Sequence, residues 1–302
     1  MNLKNKMGKH AYLIIANRNP NQLATLIATL DDSRNDIFIL LDKKSTSIFP
    51  AVYKATYATV TMIDPINIFW GDYSQIEAEL ALFKAANNGY YDYYHLLSGL
   101  DLPLANQDQI HDFFDKNLNK EFITYSGALN PKELSVRLHN YHFPNTFRTD
   151  NKFKGLYHRI ETKLYSKMPQ RRINIDKISF GSNWVSLDNE LVSDLVDNED
   201  LIHHLFHNGF LVDELFIPIF INLFPKYKKR VYDSTKVSDK PDEFQGNLRY
   251  INWWDGSPYT WRLKDYGMLQ QAKKKGHLFS RKFDENIDSD IIKKVVNNNL
   301  SS

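Results

Sequence analysis

The first 126 residues alternate between continuous apolar runs and segments that carry apolar residues at helical spacing. Apolar runs of the kind found in strands buried on both faces stand at 11–16, 36–42, 58–63 and 93–99. Between them, "NPNQLATLIATL" and "YSQIEAELALFKAA" repeat apolar residues every three or four positions, and Asn19 is expected to be the N-cap of the first helix. The alternation predicts βαβ units and an α/β fold with a mostly parallel sheet.

The second half of the chain has a less regular pattern. Residues 127–178 show weak periodicity, which predicts a variable insertion with one helix near 154–167. From 179 onward, "FGSNWVSL" predicts a strand, and helices follow in "DNELVSDLV" and "VDELFIPIFINL". We find no internal repeat and no low-complexity linker. The sequence therefore predicts one continuous domain over 1–302, with halves at 10–126 and 179–302.

Polar residues follow several of the predicted strands. In open parallel sheets, ligands bind beyond the carboxyl ends of the strands. The residues at those ends are Asn17 and Arg18, Asp42 and Lys43, Asp64, and 98–101. A binding site is therefore expected at this edge of the sheet.

Composition excludes several classes of function. The net charge of +2 disfavours a nucleic-acid-binding protein, and the absence of cysteine excludes disulfides, thiolate metal sites and a cysteine nucleophile. The longest apolar stretch, 215–224, is about half as long as a membrane-spanning helix. We expect a cytoplasmic protein. Its basic clusters at 226–230 and 273–275 are either solvated faces or a weak peripheral contact with the inner face of a membrane.

Common catalytic motifs are missing from the sequence. It contains no glycine-rich phosphate loop and no G-x-S-x-G nucleophile elbow. His203 and His207 would share a helix face, but no third ligand stands at a suitable spacing, so a structural role is favoured. The pair Asp213 and Glu214 opens an apolar helix. A carboxylate there is either a helix cap or, if partly buried, a general base.

Several motifs, taken in order, resemble the core-2/I-branching family of glycosyltransferases. They include "FILLDKKS", "IFWGDYSQIEAELALFKAA", "YYHLLSGLDLPL", "FGSNWVSLDNELV", "VDELFIPIF", "LRYINWWDGSP" and "HLFSRKFD". The resemblance implies a glycosyltransferase-A-type nucleotide-binding sandwich that transfers sugar from a UDP-sugar with inversion. It further implies a bacterial-type member, because the animal enzymes depend on paired cysteines that this chain lacks.

The resemblance also implies roles for individual residues. Glu214 matches the catalytic glutamate, and Arg281 and Lys282 match a basic pair that holds the diphosphate in place of a metal. Because neighbours on a strand face opposite sides, Lys282 is expected to point at the phosphates and Arg281 to support it. The Asp-x-Asp at 288–290 falls within the predicted C-terminal helix, away from a metal-binding position.

Other positions match the nucleotide and sugar sites of the family. Asp42 corresponds to the uridine site, and Trp70 and Gly71 to a loop beside the nucleotide. Residues expected near the donor or acceptor sugar are Asp101, Asn183, Trp184, Asp213 and Trp253. Asn183 stands where some members carry an aspartate, and Trp184 and Trp253 are either sugar-contacting aromatics or core residues.

These inferences predict a metal-independent inverting glycosyltransferase. N-acetylglucosamine is the favoured sugar and xylose the alternative, with a cell-surface or lipid-linked glycan as acceptor. A non-catalytic glycan- or nucleotide-binding module on the same fold is the competing hypothesis.

Overall fold

The computed structural model describes residues 8–87, 91–142, 168, 171, 173, 175 and 178–300 of the chain. Its centre is a five-stranded sheet in the order β3-β2-β1-β4-β7. The strands are β1 His10–Ala16, β2 Asn35–Asp42, β3 Thr59–Ile66, β4 Tyr93–Ser98 and β7 Ser186–Asp188. Neighbouring strands are parallel except β7, which runs antiparallel to β4. The predicted α/β class with a mostly parallel central sheet is confirmed.

Helices cover both faces of this sheet. One core contains Ala11 and Leu13, and the other contains Tyr12 and Ile14, so alternate side chains of β1 enter opposite layers. The first layer includes α2 Ser74–Ala86, α4 Pro131–His139, α5 Asn189–Asp197, α6 Glu199–Phe206 and α7 Asp213–Leu223. The second includes α1 Pro20–Leu30, α3 Gln107–Lys116, α9 Tyr266–Lys274 and α10 Ser289–Leu300; the short α8 is Pro225–Lys228.

The order of strands reverses between β1 and β4. The chain proceeds outward from β1 to β2 and β3, and then returns through α2 to β4 on the other side of β1. A crevice opens at such a reversal, beyond the carboxyl ends of the strands. The loops after β1, β2 and β4 therefore meet at one place.

Two smaller sheets extend the structure. The strands β5 Asp101–Pro103, β9 Arg249–Ile251 and β10 Phe279–Arg281 form one sheet, and β6 Tyr125–Ser126 pairs with β8 Lys236–Val237 in the other. The fully buried guanidinium of Arg249 joins the three-stranded sheet to the central one, because it donates to the carbonyls of Leu96 and Val185. Burial lowers the pKa of Arg249 to about 9.

Some local predictions are wrong. Asn19 does occupy the predicted N-cap position, directly before Pro20, but it has φ of 58° and its side chain makes no cap bond; its amide instead donates to Asp284. The predicted strand beginning at Phe180 is a strand only over Ser186–Asp188, while 121–126 contributes to a separate two-stranded sheet. The helix expected near 154–167 lies outside the described residues.

Ion pairs hold two of the four basic residues in the cluster at 226–230. Lys226 contacts Glu190 and Asp194 at 2.8 Å each, and Arg230 bridges Glu190 and Glu121. These pairs tie α8 and the following turn to α5 and leave less charge for a membrane surface. Within the described residues, no helix combines the length and apolarity that crossing a bilayer requires.

The buried ring of His277 should make stability depend on pH. It accepts a hydrogen bond from the backbone N–H of Gln245 at Nε2 and bonds the carbonyl of Ala272 at Nδ1, an arrangement that fits the neutral ring. Burial lowers the pKa of His277 to about 4, against about 6.5 in the unfolded chain. As pH falls below 6.5, the unfolded state gains the proton first, so the native state loses relative stability down to about pH 4.

We therefore expect the stability advantage of wild type over His277→Gln to shrink by about 2 kcal/mol between pH 7 and pH 4.5. The measurement is the free energy of unfolding of both proteins in urea at each pH. Using the difference removes the contribution of other titrating groups that the two proteins share. A difference that is the same at both pH values contradicts the assignment.

Candidate active site

The main cleft lies at the carboxyl ends of β1, β2 and β4, where the strand order reverses. Its volume is about 490 Å³. The residues that line it are Ile15, Asn17, Arg18, Asp42, Lys44, Ile68, Phe69, Trp70, Gln75, Glu79, Ser98, Leu100, Asn183, Trp184, Arg281 and Lys282. The predicted position of the binding site, at this edge of the sheet, is confirmed as the position of a cleft.

Cations cluster at one end of the cleft. Arg281 donates to the carboxylate of Asp101 at 2.8 Å, and its guanidinium lies 4.5 Å from the centre of the Trp184 ring. Asp101 is fully buried, and its carboxylate also accepts the N–H of Ser98. Burial raises the pKa of Asp101, against the opposing effect of Arg281. Asp101 therefore fixes Arg281 and the β4 end, and it does so from behind the cleft.

Lys282 is half-buried beside two other cations. Burial lowers its pKa first, and the charges of Arg18 and Arg281 lower it further. The Arg18 Nε is buried without a hydrogen-bond partner in the described part of the chain, and its guanidinium approaches Asp284 at 3.6 Å. Both Arg281 and Lys282 line the cleft, and Arg281 is the member of the pair that bonds an acidic neighbour. Three cations held this close form a site for a multiply charged anion.

Asp42 organises the opposite end of the cleft. Its carboxylate accepts the N–H of Lys44 at 3.2 Å and of Ile68 at 3.3 Å, and the Lys44 ammonium contacts it at 2.8 Å. It therefore joins the loop after β2 to the segment before Trp70. The Trp70 side chain is 58% exposed and forms an edge contact with Phe210. An exposed indole at a cleft rim is available to stack on a ring.

Gly71 shapes the backbone next to Trp70. Its φ of +75° favours glycine, and a Cβ there would stand 2.9 Å from the Phe210 ring. Its N–H donates to the Gln75 side chain at 2.7 Å. Gly71 therefore shapes the loop that carries Trp70, and it is not among the residues that line the cleft.

Glu214 lies in a second, smaller pocket of about 100 Å³. The lining residues are Thr124, Ser126, Phe180, Gly181, Ser182, Glu214, Val237, Asp239, Gln245, Asn247, Ile251 and Trp253. Glu214 stands in the first turn of α7 and pairs with Arg137 at 2.6 Å. Burial raises the pKa of Glu214, and the bond to Arg137 opposes the rise. The result is a partly buried carboxylate of increased basicity.

The segment 180–184 separates the two pockets. Ser182 lines the smaller pocket, whereas Asn183 and Trp184 line the main cleft. Gly181 fits because a Cβ would come within 1.9 Å of the Thr124 carbonyl oxygen. The segment therefore presents polar groups to both sides at once, and the carboxylate of Glu214 and the cation cluster lie on either side of it.

The sequence profile of Core-2/I-Branching enzymes matches residues 10–274. The chain belongs to this family. It is 21% identical over 294 residues to "Xylosyltransferase 2" of Rattus norvegicus, covering 93% of this chain and 32% of that protein. The mouse (Mus musculus) protein of the same name is 20% identical over 294 residues, which again cover 93% of this chain and 32% of that protein. The chain thus spans about a third of the length of the curated relatives it matches.

Among solved structures, that of mouse xyloside xylosyltransferase 1 in its apo form aligns with a TM-score of 0.37. The alignment has 13% identity and covers 89% of this chain and 96% of the mouse chain. The family resemblance inferred from the sequence motifs is confirmed by the profile match.

Asp213 connects the two pockets of this Core-2/I-Branching enzyme. It is buried and accepts a hydrogen bond at 2.8 Å from Gln75, a residue of the main cleft. Burial, followed by the charge of Glu214, raises the pKa of Asp213 to about 7. The structure therefore places Asp213 behind the cleft, where it holds Gln75, instead of in the lining where a sugar would touch it.

The sequence assigns no site role to Lys44, Glu79 or Arg137. Arg18 has a signal, because it follows the apolar run 11–16 at the edge where a binding site is expected. Glu79 had a signal too, because it is an acid on the apolar face that Ile76, Leu80 and Phe83 define. Arg137 lies in the stretch that matches the family motifs poorly.

The histidine pair forms no metal site with the described residues. The rings of His203 and His207 stand 4.3 Å apart beside Tyr73. In the described part of the chain, no group of three or more histidine or acidic side chains could hold a metal ion together. The structural role favoured from the sequence agrees with this packing.

Proposed function

We propose that this chain is an inverting glycosyltransferase that moves a sugar from a UDP-sugar to a hydroxyl of a glycan acceptor. One observation carries the proposal: a half-buried carboxylate and a cluster of cations flank the same short segment, 180–184. Single displacement at an anomeric carbon needs a base for the incoming hydroxyl and positive charge for the departing diphosphate. The two pockets supply one of each.

In the proposed mechanism, the donor occupies the main cleft and the acceptor hydroxyl enters through the smaller pocket. The acceptor oxygen attacks the anomeric carbon while the bond from that carbon to the diphosphate oxygen breaks. The hydroxyl proton passes to the Glu214 carboxylate, and the electron pair of the broken bond leaves with UDP. Because attack and departure are on opposite sides of the carbon, the configuration inverts.

We further propose that the cations replace a metal ion in this reaction. Arg281 is held by Asp101 and by the Trp184 face, so its charge is in place before the leaving group forms. Lys282 and Arg18 add charge beside it. Fixed charges in a partly dry site stabilise a developing anion more than mobile charges in water do.

The identities of the donor sugar and of the acceptor are further proposals. The resemblance favours N-acetylglucosamine, while the names of the curated relatives favour xylose. The acceptor is a hydroxyl-rich glycan, because Ser126, Asn247 and Trp253 offer the smaller pocket hydrogen-bonding groups and an aromatic face. A cell-surface or lipid-linked glycan fits this chemistry, and contact with the membrane would use the exposed lysines of the basic clusters.

Calorimetric titration with UDP and with UDP-sugars tests the proposed donor cleft. Asp42→Ala should weaken UDP and UDP-sugar to a similar degree, by roughly 10- to 100-fold, because it removes a charged hydrogen-bonding group and releases the loops at the uridine end. Asp64→Ala is the matched control, since Asp64 is exposed on β3 and, unlike Asp42, is not among the residues that line the cleft. Unchanged UDP binding in Asp42→Ala removes Asp42 from the site.

A further inference from the structure

Glu79 is a buried acid in the wall of the main cleft. It lies on α2 with Ile76 and Leu80 on the same face, and its side chain is fully buried. A glutamate on the apolar face of a helix is uncommon, because burying a carboxyl group without partners is unfavourable. It therefore needs a structural or functional explanation.

Only one of the two carboxyl oxygens of Glu79 has a hydrogen-bond partner among the described residues. Asn183 donates to Oε1 at a long 3.4 Å, and Asn183 itself lines the cleft. The other oxygen, Oε2, is buried and has no hydrogen-bond partner in the part of the chain that the structure describes. Native proteins leave few buried polar atoms unpaired, so an unpaired carboxyl oxygen in a cleft wall calls for an explanation.

The surroundings favour the protonated form of this carboxyl group. Burial raises the pKa of Glu79 well above its usual value, and the nearby charge of Asp213 adds to the rise. A protonated carboxyl has one O–H donor and acceptor capacity besides, which is the pattern that a sugar hydroxyl complements. A phosphate would gain less from it, and the cations that suit a phosphate lie elsewhere in the lining.

We propose that Glu79 is a sugar-recognition residue, whose free oxygen binds a hydroxyl of the sugar being transferred. The inference rests on the proposed function, because it assumes that a UDP-sugar occupies the main cleft. Asn183 takes part as the neighbour that holds Oε1. Glu79 thus acts on the sugar half of the donor, whereas Asp42 and the cations act on the UDP half.

The proposal predicts a split between two ligands. Glu79→Leu fills the same space without a polar group, so it should weaken binding of the UDP-sugar by roughly 10- to 100-fold and leave UDP itself unchanged. Glu79→Gln keeps a neutral group that both donates and accepts, so both ligands should bind within about threefold of wild type. Glu77→Gln is the control, as Glu77 is exposed on the same helix.

The experiment is a calorimetric titration of each protein with UDP, UDP-N-acetylglucosamine and UDP-xylose, together with a thermal melt. A second titration uses analogues of the better-bound UDP-sugar that lack one hydroxyl each. The analogue without the contacted hydroxyl should bind wild type weakly and Glu79→Leu no worse than the parent sugar does.

Each outcome is informative about a different claim. If wild type binds UDP but Glu79→Leu binds the UDP-sugar as wild type does, or loses UDP and UDP-sugar equally, the role of Glu79 is wrong and the donor cleft stands. If wild type binds neither UDP nor a UDP-sugar, the proposed function fails and this inference fails with it. If Glu79→Leu does not fold, Glu79→Gln with the one-hydroxyl analogues gives the decision: an equal loss for every analogue contradicts the contact.

Discussion

Glu214→Gln should slow sugar transfer by about 100- to 10,000-fold, the range expected when a general base is lost. Glutamine keeps the size of the side chain and can still bond Arg137, but it cannot take the proton of the acceptor hydroxyl. Binding of UDP should stay as in wild type, because Glu214 lies in the smaller pocket and not in the cleft that holds the cations. The loss should therefore fall on kcat.

The measurement is the rate of UDP release under saturating donor and acceptor, with UDP affinity measured in parallel. Glu133→Gln is a suitable control, since Glu133 is an exposed acid in the first turn of α4. A thermal melt checks that the loss of charge beside Arg137 has not unfolded the variant. Transfer at the wild-type rate would reduce Glu214 to a structural ion-pair partner of Arg137.

Lys282→Ala should slow transfer by roughly 10- to 150-fold, because a charged hydrogen bond to the leaving group contributes about 1.5–3 kcal/mol. The effect should persist with added manganese, and wild type should keep its activity in excess EDTA. Lys282→Arg restores the charge and should recover part of the rate. Lys274→Ala, at an exposed lysine of α9, should behave as wild type.

The opposite response to EDTA and manganese would contradict the proposal that cations replace a metal ion. Activity that disappears in EDTA and returns with manganese would show that a metal ion neutralises the diphosphate. Asp42, which lines the cleft, would then be the first candidate for a metal ligand.

The central strands β1, β2 and β4 could be predicted because they are buried on both faces. Apolar runs such as 36–42 match a strand wherever both layers are hydrophobic, and all eight residues of β2 are buried. The same pattern gives a wrong prediction for the segment 180–185, which is not a strand. Phe, Trp and Val within it suit a strand, but Ser182 and Asn183 face separate pockets. A hydrophobic pattern cannot distinguish a paired strand from an extended cleft wall.

Part of the site was visible in local motifs, and part depends on long-range contacts. Arg281, Lys282 and Glu214 each stand in a short recognisable stretch. Arg137 reaches Glu214 across 77 positions, and Asn183 reaches Glu79 across 104. No local pattern encodes such pairs, because they depend on how α4 and α2 pack around α7 and the 180–184 segment.

The roles of two predicted sugar residues changed for a physical reason. Asp101 and Asp213 are acids in motif positions, and the sequence placed both near the sugar. In the structure each is buried behind the cleft and bonds a residue that lines it, Arg281 and Gln75 respectively. A motif can indicate which residues belong to a site. It does not distinguish a side chain that contacts the substrate from one that positions a neighbouring side chain.

The central claim is that this chain uses a UDP-sugar as its donor, and one measurement tests it most directly. Purified wild type and Glu214→Gln are incubated with UDP-N-acetylglucosamine, UDP-xylose, UDP-glucose and UDP-galactose, each with a mixed glycan acceptor, and UDP release is followed. We expect wild type to release UDP from one of these donors in an acceptor-dependent manner, and Glu214→Gln to release about 100-fold less or lower still. Equal, background-level release by both proteins from every donor would contradict the account.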